Sequence, residues 1–181
     1  MPEINLTNLP GVFSVKHTVF EDFRGQYIEL WHKEQFDGII EPFNNGKRIE
    51  FVEDDISITE RHCLKGVHSD TKAWKLISCL YGKFYLVVIN YDTESEHYGK
   101  WQGFTLSDTN KMQILIPPKH GNGHLCLSEK SIFHYKQSEQ YDLSRQSTIP
   151  YNDQRFKIFW PIKDPIVSMR DLTGDQSFTG K

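Results

Sequence analysis

The chain has little that could staple it together or anchor it elsewhere. Its 181 residues include three cysteines, Cys63, Cys79 and Cys126, odd in number and with no C-x-x-C pair. That excludes a disulfide framework and a zinc knuckle and points to a reducing, cytoplasmic setting. Long hydrophobic runs are missing as well: the longest is Phe84-Tyr85-Leu86-Val87-Val88-Ile89, far short of the roughly 20 residues a membrane-spanning helix needs. The start, Met1-Pro2-Glu3-Ile4-Asn5, has neither the basic nor the apolar region of a secretion signal. Charge of one sign is not in excess, with 21 Lys+Arg against 24 Asp+Glu and a net charge of −3. No bulk positive field is available for a nucleic-acid backbone, so an anionic partner has to be small and gripped locally. No repeat, low-complexity tract or Pro/Gly/Ser linker divides the chain. The length suits one domain, residues 1–172, followed by a weakly ordered tail, 173–181.

What is abundant is aromatic side chains: twelve Phe, eight Tyr and four Trp, 13% of the chain. Many of them sit in short, partly alternating, β-branched segments, among them Gly25 to Trp31, Phe51 to Ile58, Lys75 to Leu80, Lys83 to Tyr91, Gln113 to Ile116 and Ser131 to Lys136. Asp22-Phe23-Arg24-Gly25, Tyr81-Gly82, Pro117-Pro118 and Gly121-Asn122-Gly123 read as turn punctuation between strands. Many short strands at regular spacing predict a β-sandwich or barrel, whose mouth is the usual small-ligand site. One short helix is expected at Lys33-Glu34-Gln35-Phe36, stopping at Asp37-Gly38, and Asp164 to Leu172 reads as an extended closing segment.

Two clusters could carry chemistry. In Leu64-Lys65-Gly66-Val67-His68-Ser69-Asp70, a histidine follows a glycine closely and precedes Lys75 by seven residues. Taken alone, His68 also fits a structural histidine, and Lys75 a solvated strand-end charge. In Pro117-Pro118-Lys119-His120-Gly121-Asn122-Gly123-His124, prolines followed by glycines demand a specific backbone path. His120 and His124 have metal-pair spacing for a helix, which the glycines oppose; in a strand they would lie about 13 Å apart, too far for one ion. In Phe133-His134-Tyr135-Lys136, alternation sends His134 and Tyr135 to opposite faces, leaving open whether Tyr135 is core or acid.

A larger ordered set then emerges: Phe20 to Glu29, Phe51-Val52-Glu53-Asp54-Asp55-Ile56-Ser57, Lys65-Gly66-Val67-His68, Lys75-Leu76, Tyr98 to Trp101, Ile116-Pro117, Tyr135-Lys136, Tyr151-Asn152-Asp153, Phe159-Trp160-Pro161 and Ser168-Met169-Arg170-Asp171. From about residue 10 to 172 it resembles the dTDP-4-dehydrorhamnose 3,5-epimerase family. The resemblance implies an all-β, cupin-type β-sandwich (jelly roll) with a few short helices. It also implies a homodimer whose site accepts N-terminal residues of the partner, and an isomerase that needs no cofactor and no metal. The implied substrate is a nucleotide-linked 4-keto sugar, in surface-polysaccharide biosynthesis. Removing a hydrogen beside a ketone takes a base, a group that stabilises the enolate oxygen, and an acid on the other face. By similarity these are His68 oriented by Asp171, Lys75, and Tyr135. Arg24 matches an arginine that reaches the diphosphate, and Glu29, Glu53, Lys65, Asn122 and Gln140 complete the implied binding set.

Departures from the family pattern shape the substrate expectation. Lys65 stands for an arginine, Asn122 for a histidine, and Leu86 and Asn90 for two aspartates near Lys75. Gln140 replaces an aromatic that stacks on thymine, and the His120 to Leu125 loop looks most like enzymes of GDP-linked 4-keto heptoses or 6-deoxy sugars. GDP is therefore expected over dTDP, with a dTDP-sugar enzyme or a C3-only epimerase as alternatives. A metal-dependent cupin oxygenase built from His68, His120 or His124 and Glu53 is disfavoured by Asn122 and Asp70 at ligand places. A sugar-binding module would have no need for His68, Asp171, Lys75 and Tyr135 together.

Overall fold

A computed structural model of the chain describes residues 2–41 and 44–178. Its strands are β1 (Glu3–Leu6), β2 (Phe13–Lys16), β3 (Val19–Asp22), β4 (Gly25–Ile28), β5 (Glu53–Glu60), β6 (Leu64–Asp70) and β7 (Lys75–Tyr81). They continue with β8 (Lys83–Asn90), β9 (Trp101–Ser107), β10 (Met112–Ile116), β11 (His120–Cys126), β12 (Lys130–Gln137) and β13 (Gln146–Thr148). A six-stranded sheet in the order β1-β2-β10-β7-β12-β5 faces a five-stranded sheet in the order β13-β6-β11-β8-β9, and β3 and β4 form a separate hairpin. The architecture is the cupin-type β-sandwich that the sequence predicts.

Alternation explains the packing. Ile77 and Cys79 of β7, Phe84, Leu86 and Val88 of β8, Ile114 and Ile116 of β10 and Phe133 of β12 meet between the sheets. The intervening residues point outward: Phe13, Val15, Leu76 and Leu115 carry the first helix, while Ile89 lies under Ile149 and Phe156. This double coverage is why the run from Phe84 to Ile89 contains almost no polar residue.

Helix α1 (Lys33–Ile40) continues past Asp37-Gly38 rather than stopping there. Phe36 and Ile40 are buried on the outer face of the six-stranded sheet and Lys33 pairs with Asp37 at 3.2 Å. That packing outweighs the roughly 1 kcal/mol that a helical glycine costs. The expected extended segment is also corrected at its end, where α2 (Met169–Thr173) forms. Ser168 caps it by accepting the Asp171 N–H at 3.1 Å, and Gly174 closes it in the left-handed region, φ 78°. Gln176–Phe178 make a 3-10 turn, and residues 179–181 of the expected tail lie outside the described residues.

Gly121-Asn122-Gly123 is not a turn but the middle of β11. A Cβ at Gly121 would meet Val67 at 2.9 Å, and one at Gly66 would meet the Gly123 Cα at 2.5 Å. These glycines let β6 and β11 approach closely at a register shift between Asn122 and His124.

Candidate active site

At one end the space between the sheets stays open, as a cavity of about 200 Å³. His68 of β6 and Asn122 and His124 of β11 line it from one sheet; Lys75 of β7 and Phe133, Tyr135 and Gln137 of β12 line it from the other. Lys65, Ser57, Tyr141 and Gln146 complete the wall.

His68 Nε2 lies 2.7 Å from Asp171 Oδ1, and Asp171 Oδ2 accepts the Gly66 N–H at 3.2 Å. Burial by itself would raise the Asp171 pKa; the His68 hydrogen bond and charge, with Gly66 and Ser168, more than offset it and hold the carboxyl below its usual range. An ionised Asp171 requires the proton of a neutral His68 on Nε2 and leaves Nδ1 as the basic nitrogen.

Lys75 is buried, its Nζ donating to Asn122 Oδ1 at 3.3 Å. Burial brings its pKa down to about 8 against the opposing pull of Asp70. Leu86 and Asn90, where acidic neighbours were missing from the pattern, do not supply that charge: Leu86 is core and Asn90 bonds Ser95. Asp70 is held by the Lys72 and Ala73 N–H groups, at 2.7 and 2.9 Å, and by Gln146.

Tyr135 points into the cavity while His134 faces out to Asp54, as alternation requires. Burial first, then the nearby Asp55 and Glu53 carboxyls, push the Tyr135 phenol up to about 12, so it is an acid throughout the physiological range. Of the two loop histidines, His124 faces the cavity, stacked on Phe133 at 4.1 Å and bonded to Thr59 at 3.1 Å. Burial, with the charges of Lys65 and His68, drives its pKa down to about 3 and keeps it neutral. His120 instead bonds the Pro118 carbonyl.

The structure thus gathers His68, Lys75, Tyr135, Lys65 and Asn122 around one cavity, with Asp171 behind His68. Lys65 Nζ donates to Ser57 Oγ at 2.8 Å. Glu53 does not line the cavity; its oxygens accept from Gln137 Nε2 at 3.0 Å and the Tyr141 N–H at 2.8 Å, bracing the wall. Gln140 lies in an adjoining open cleft with Val52, Tyr141 and Arg145. Arg24 and Glu29 lie apart from this chain's cavity, because the β3–β4 hairpin stands clear of the sandwich: Arg24 pairs with Asp22 at 2.6 Å, and Phe23 is 97% exposed. Sequence reading missed Ser57, Gln137 and Gln146; for Gln137 the period-two step from Tyr135 was the available signal. Among the described residues no three His, Cys, Asp or Glu side chains are grouped to hold a metal ion, and no helix is long and apolar enough to cross a membrane.

The family model described as dTDP-4-dehydrorhamnose 3,5-epimerase matches residues 6–177. An enzyme of that name from Shigella flexneri is 30% identical over 173 residues, 94% of this chain and 93% of the relative. The solved structure from Bacillus anthracis, with TDP and PPi bound, superimposes with a TM-score of 0.88 at 27% identity, covering 97% of this chain and 99% of that one. The Legionella pneumophila enzyme, in complex with dTDP-4-keto-L-rhamnose, gives a TM-score of 0.87 at 26% identity, covering 94% and 90%. These proteins are named for dTDP sugars, so the expected closeness to GDP-heptose enzymes finds no support in them.

Proposed function

The chain belongs to the dTDP-4-dehydrorhamnose 3,5-epimerase family, an isomerase family of nucleotide sugars, and from that premise we propose that the cavity inverts C3 and C5 of a nucleotide-linked 4-keto sugar by proton transfer. The observation that carries this reading is the placement of His68 and Tyr135 on opposite sheets across one cavity. Inversion needs a base on one face of the carbon and an acid on the other, which two facing sheets supply.

In this mechanism His68 Nδ1 takes the proton beside the C4 ketone, and Asp171 stabilises the imidazolium that forms. Charge then builds on the ketone oxygen, where the Lys75 ammonium and the Asn122 amide, joined across the two sheets, stabilise it. Tyr135 returns a proton from the opposite face. C3 and C5 flank the same ketone, so one set of groups serves both, and the chemistry needs no redox cofactor.

The named relatives make dTDP the indicated nucleotide, and the cleft beside Gln140 and Arg145 shares Tyr141 with the cavity wall. Phe20, Phe23 and Tyr27 are exposed on the β3–β4 hairpin. A homodimer in which that hairpin covers the partner's cavity would bury them and bring Arg24 to the diphosphate. The free thiols of Cys63, Cys79 and Cys126 fit a cytoplasmic enzyme.

The test is incubation in D2O with dTDP-linked and GDP-linked 4-keto-6-deoxy sugars, followed by mass spectrometry. Two deuteriums incorporated from the dTDP sugar support the reading; one narrows it to C3. Turnover of the GDP sugar alone overturns the nucleotide, and no exchange with either overturns the enzyme.

A further inference from the structure

Gln137 has no part in the reaction so far, although it lines the cavity and is only 4% exposed. It stands directly across the ladder from Lys75 and two residues along the same face from Tyr135. Its amide nitrogen donates to Glu53 Oε1 at 3.0 Å, and Glu53 Oε2 accepts the Tyr141 N–H at 2.8 Å. Glu53 is the acceptor in both bonds, so turning the Gln137 amide over would set oxygen against oxygen. Among the described residues no group donates to the Gln137 amide oxygen, which is nevertheless not sealed from solvent. In a side chain this deeply buried, that opening is the cavity, so the amide points its nitrogen at Glu53 and its oxygen at the substrate space.

Resting on the epimerase reading above, we propose that Gln137 is a specificity-determining residue whose amide oxygen accepts a hydrogen bond from the C3 hydroxyl of the sugar. The ketone, ring and phosphate oxygens of such a sugar only accept, so only a hydroxyl can fill the place. Lys75 and Asn122 hold the ketone oxygen in the mechanism above, and side chains paired across a ladder lie about 5 Å apart. The hydroxyl that meets Gln137 is therefore one beside the ketone. Of the two carbons there, C3 carries a hydroxyl, whereas C5 carries the ring oxygen and a carbon arm. Glu53 fixes the choice, because it holds the amide in the orientation that takes a donor and refuses an acceptor. Sugars that are deoxygenated or alkylated at that hydroxyl would leave the amide oxygen unpaired in the buried wall, which disfavours them. The amide neither takes nor gives a proton, so Gln137 selects the sugar without entering the proton transfers.

Two measurements test the proposal. The first compares deuterium exchange beside the ketone for a dTDP-linked 4-keto-6-deoxy sugar and its 2-deoxy and 3-deoxy analogues, in the unmodified protein and in Gln137→Met, which keeps the length of the side chain and removes the acceptor. Removing a hydroxyl changes the reactivity of the sugar equally in both proteins, so the comparison between them isolates the contact. The kcat/KM preference for the parent over the 3-deoxy sugar should be about 10- to 100-fold larger in the unmodified protein, while the preference over the 2-deoxy sugar should agree within about 2-fold. Equal preferences in the two proteins would overturn the proposal, as would a difference that follows the 2-deoxy sugar instead. The second measurement needs neither turnover nor a variant: the ¹³Cδ resonance of Gln137, assigned through its neighbours in the chain, should move downfield when the parent sugar binds and stay in place with the 3-deoxy sugar. The same position with both bound sugars overturns the hydrogen bond, even if the enzyme turns over. A downfield move with the parent alone, in a protein that exchanges no deuterium, would keep the contact while removing the epimerase reading.

Discussion

The space between the two sheets ends in two different ways although the same strands run through both ends. β7 contributes Ile77 and Cys79 to the filled end and Lys75 to the open one; β12 contributes Phe133 at the boundary, then Tyr135 and Gln137. At the filled end Phe84, Leu86, Leu106 and Ile114 are fully buried, each contributing roughly 1.5–3 kcal/mol by leaving water. At the open end burial works the other way, lowering the Lys75 pKa and raising that of Tyr135. The apolar end holds the backbone firmly enough for the polar end to keep ionisable groups partly out of water, with pKa values moved from their ordinary range.

The largest expected effect is at the open end. His68→Asn should lower deuterium exchange at both carbons by about 10³-fold, within the range for loss of a general base, with thermal stability nearly unchanged; retained exchange would break the base assignment. Leu86→Ala is the mirror test at the filled end. It should lower the free energy of unfolding by about 2–5 kcal/mol while the rate per folded molecule holds, as read by urea titration alongside kinetics; an equal loss of kcat in folded protein would show the two ends to be less separable.

Lys75 links the ends through pH. Its ammonium is lost as pH rises through about 8, so kcat should fall on that limb, and Lys75→Met should remove both the limb and most of the activity. The sign for stability is opposite to that of a stabilised charge. The folded pKa lies below the unfolded value near 10.5, so the unfolded chain binds more protons between about pH 8 and 10 and this group alone makes stability rise with pH there. A flat profile for the difference between the chain and Lys75→Met would contradict that. The smallest effect is expected outside the sandwich: Arg24→Ala should raise KM about 10-fold with kcat within about 2-fold, and sedimentation should show Phe23→Ser shifted toward monomer.

Much of the fold was legible because strands announce themselves by composition and period. The run from Phe84 to Ile89 and the alternation through Phe133 and Tyr135 both point the way the structure does. Ser168-x-x-Asp171 is a capping signature that sequence reading passed over in favour of an extended segment, although Gly174 marks the helix end. The glycines of β11 were misread as a turn because a glycine required by a turn and one required by a close neighbour look alike until the neighbour, Val67 or Gly66, is known. Gln140, Arg24 and Glu29 came from resemblance alone, and the structure places them apart from the cavity that His68 lines.

By itself the sequence determined the chemical inventory and the β architecture: which side chains can take, give or hold a proton, and which strands have an apolar face to bury. Only the tertiary structure decided which of them meet. His68 and Asp171 are 103 residues apart yet share a 2.7 Å bond, and His124 rather than His120 turns inward. It also decided their charge states, because a pKa depends on burial and on neighbours that chain order does not specify.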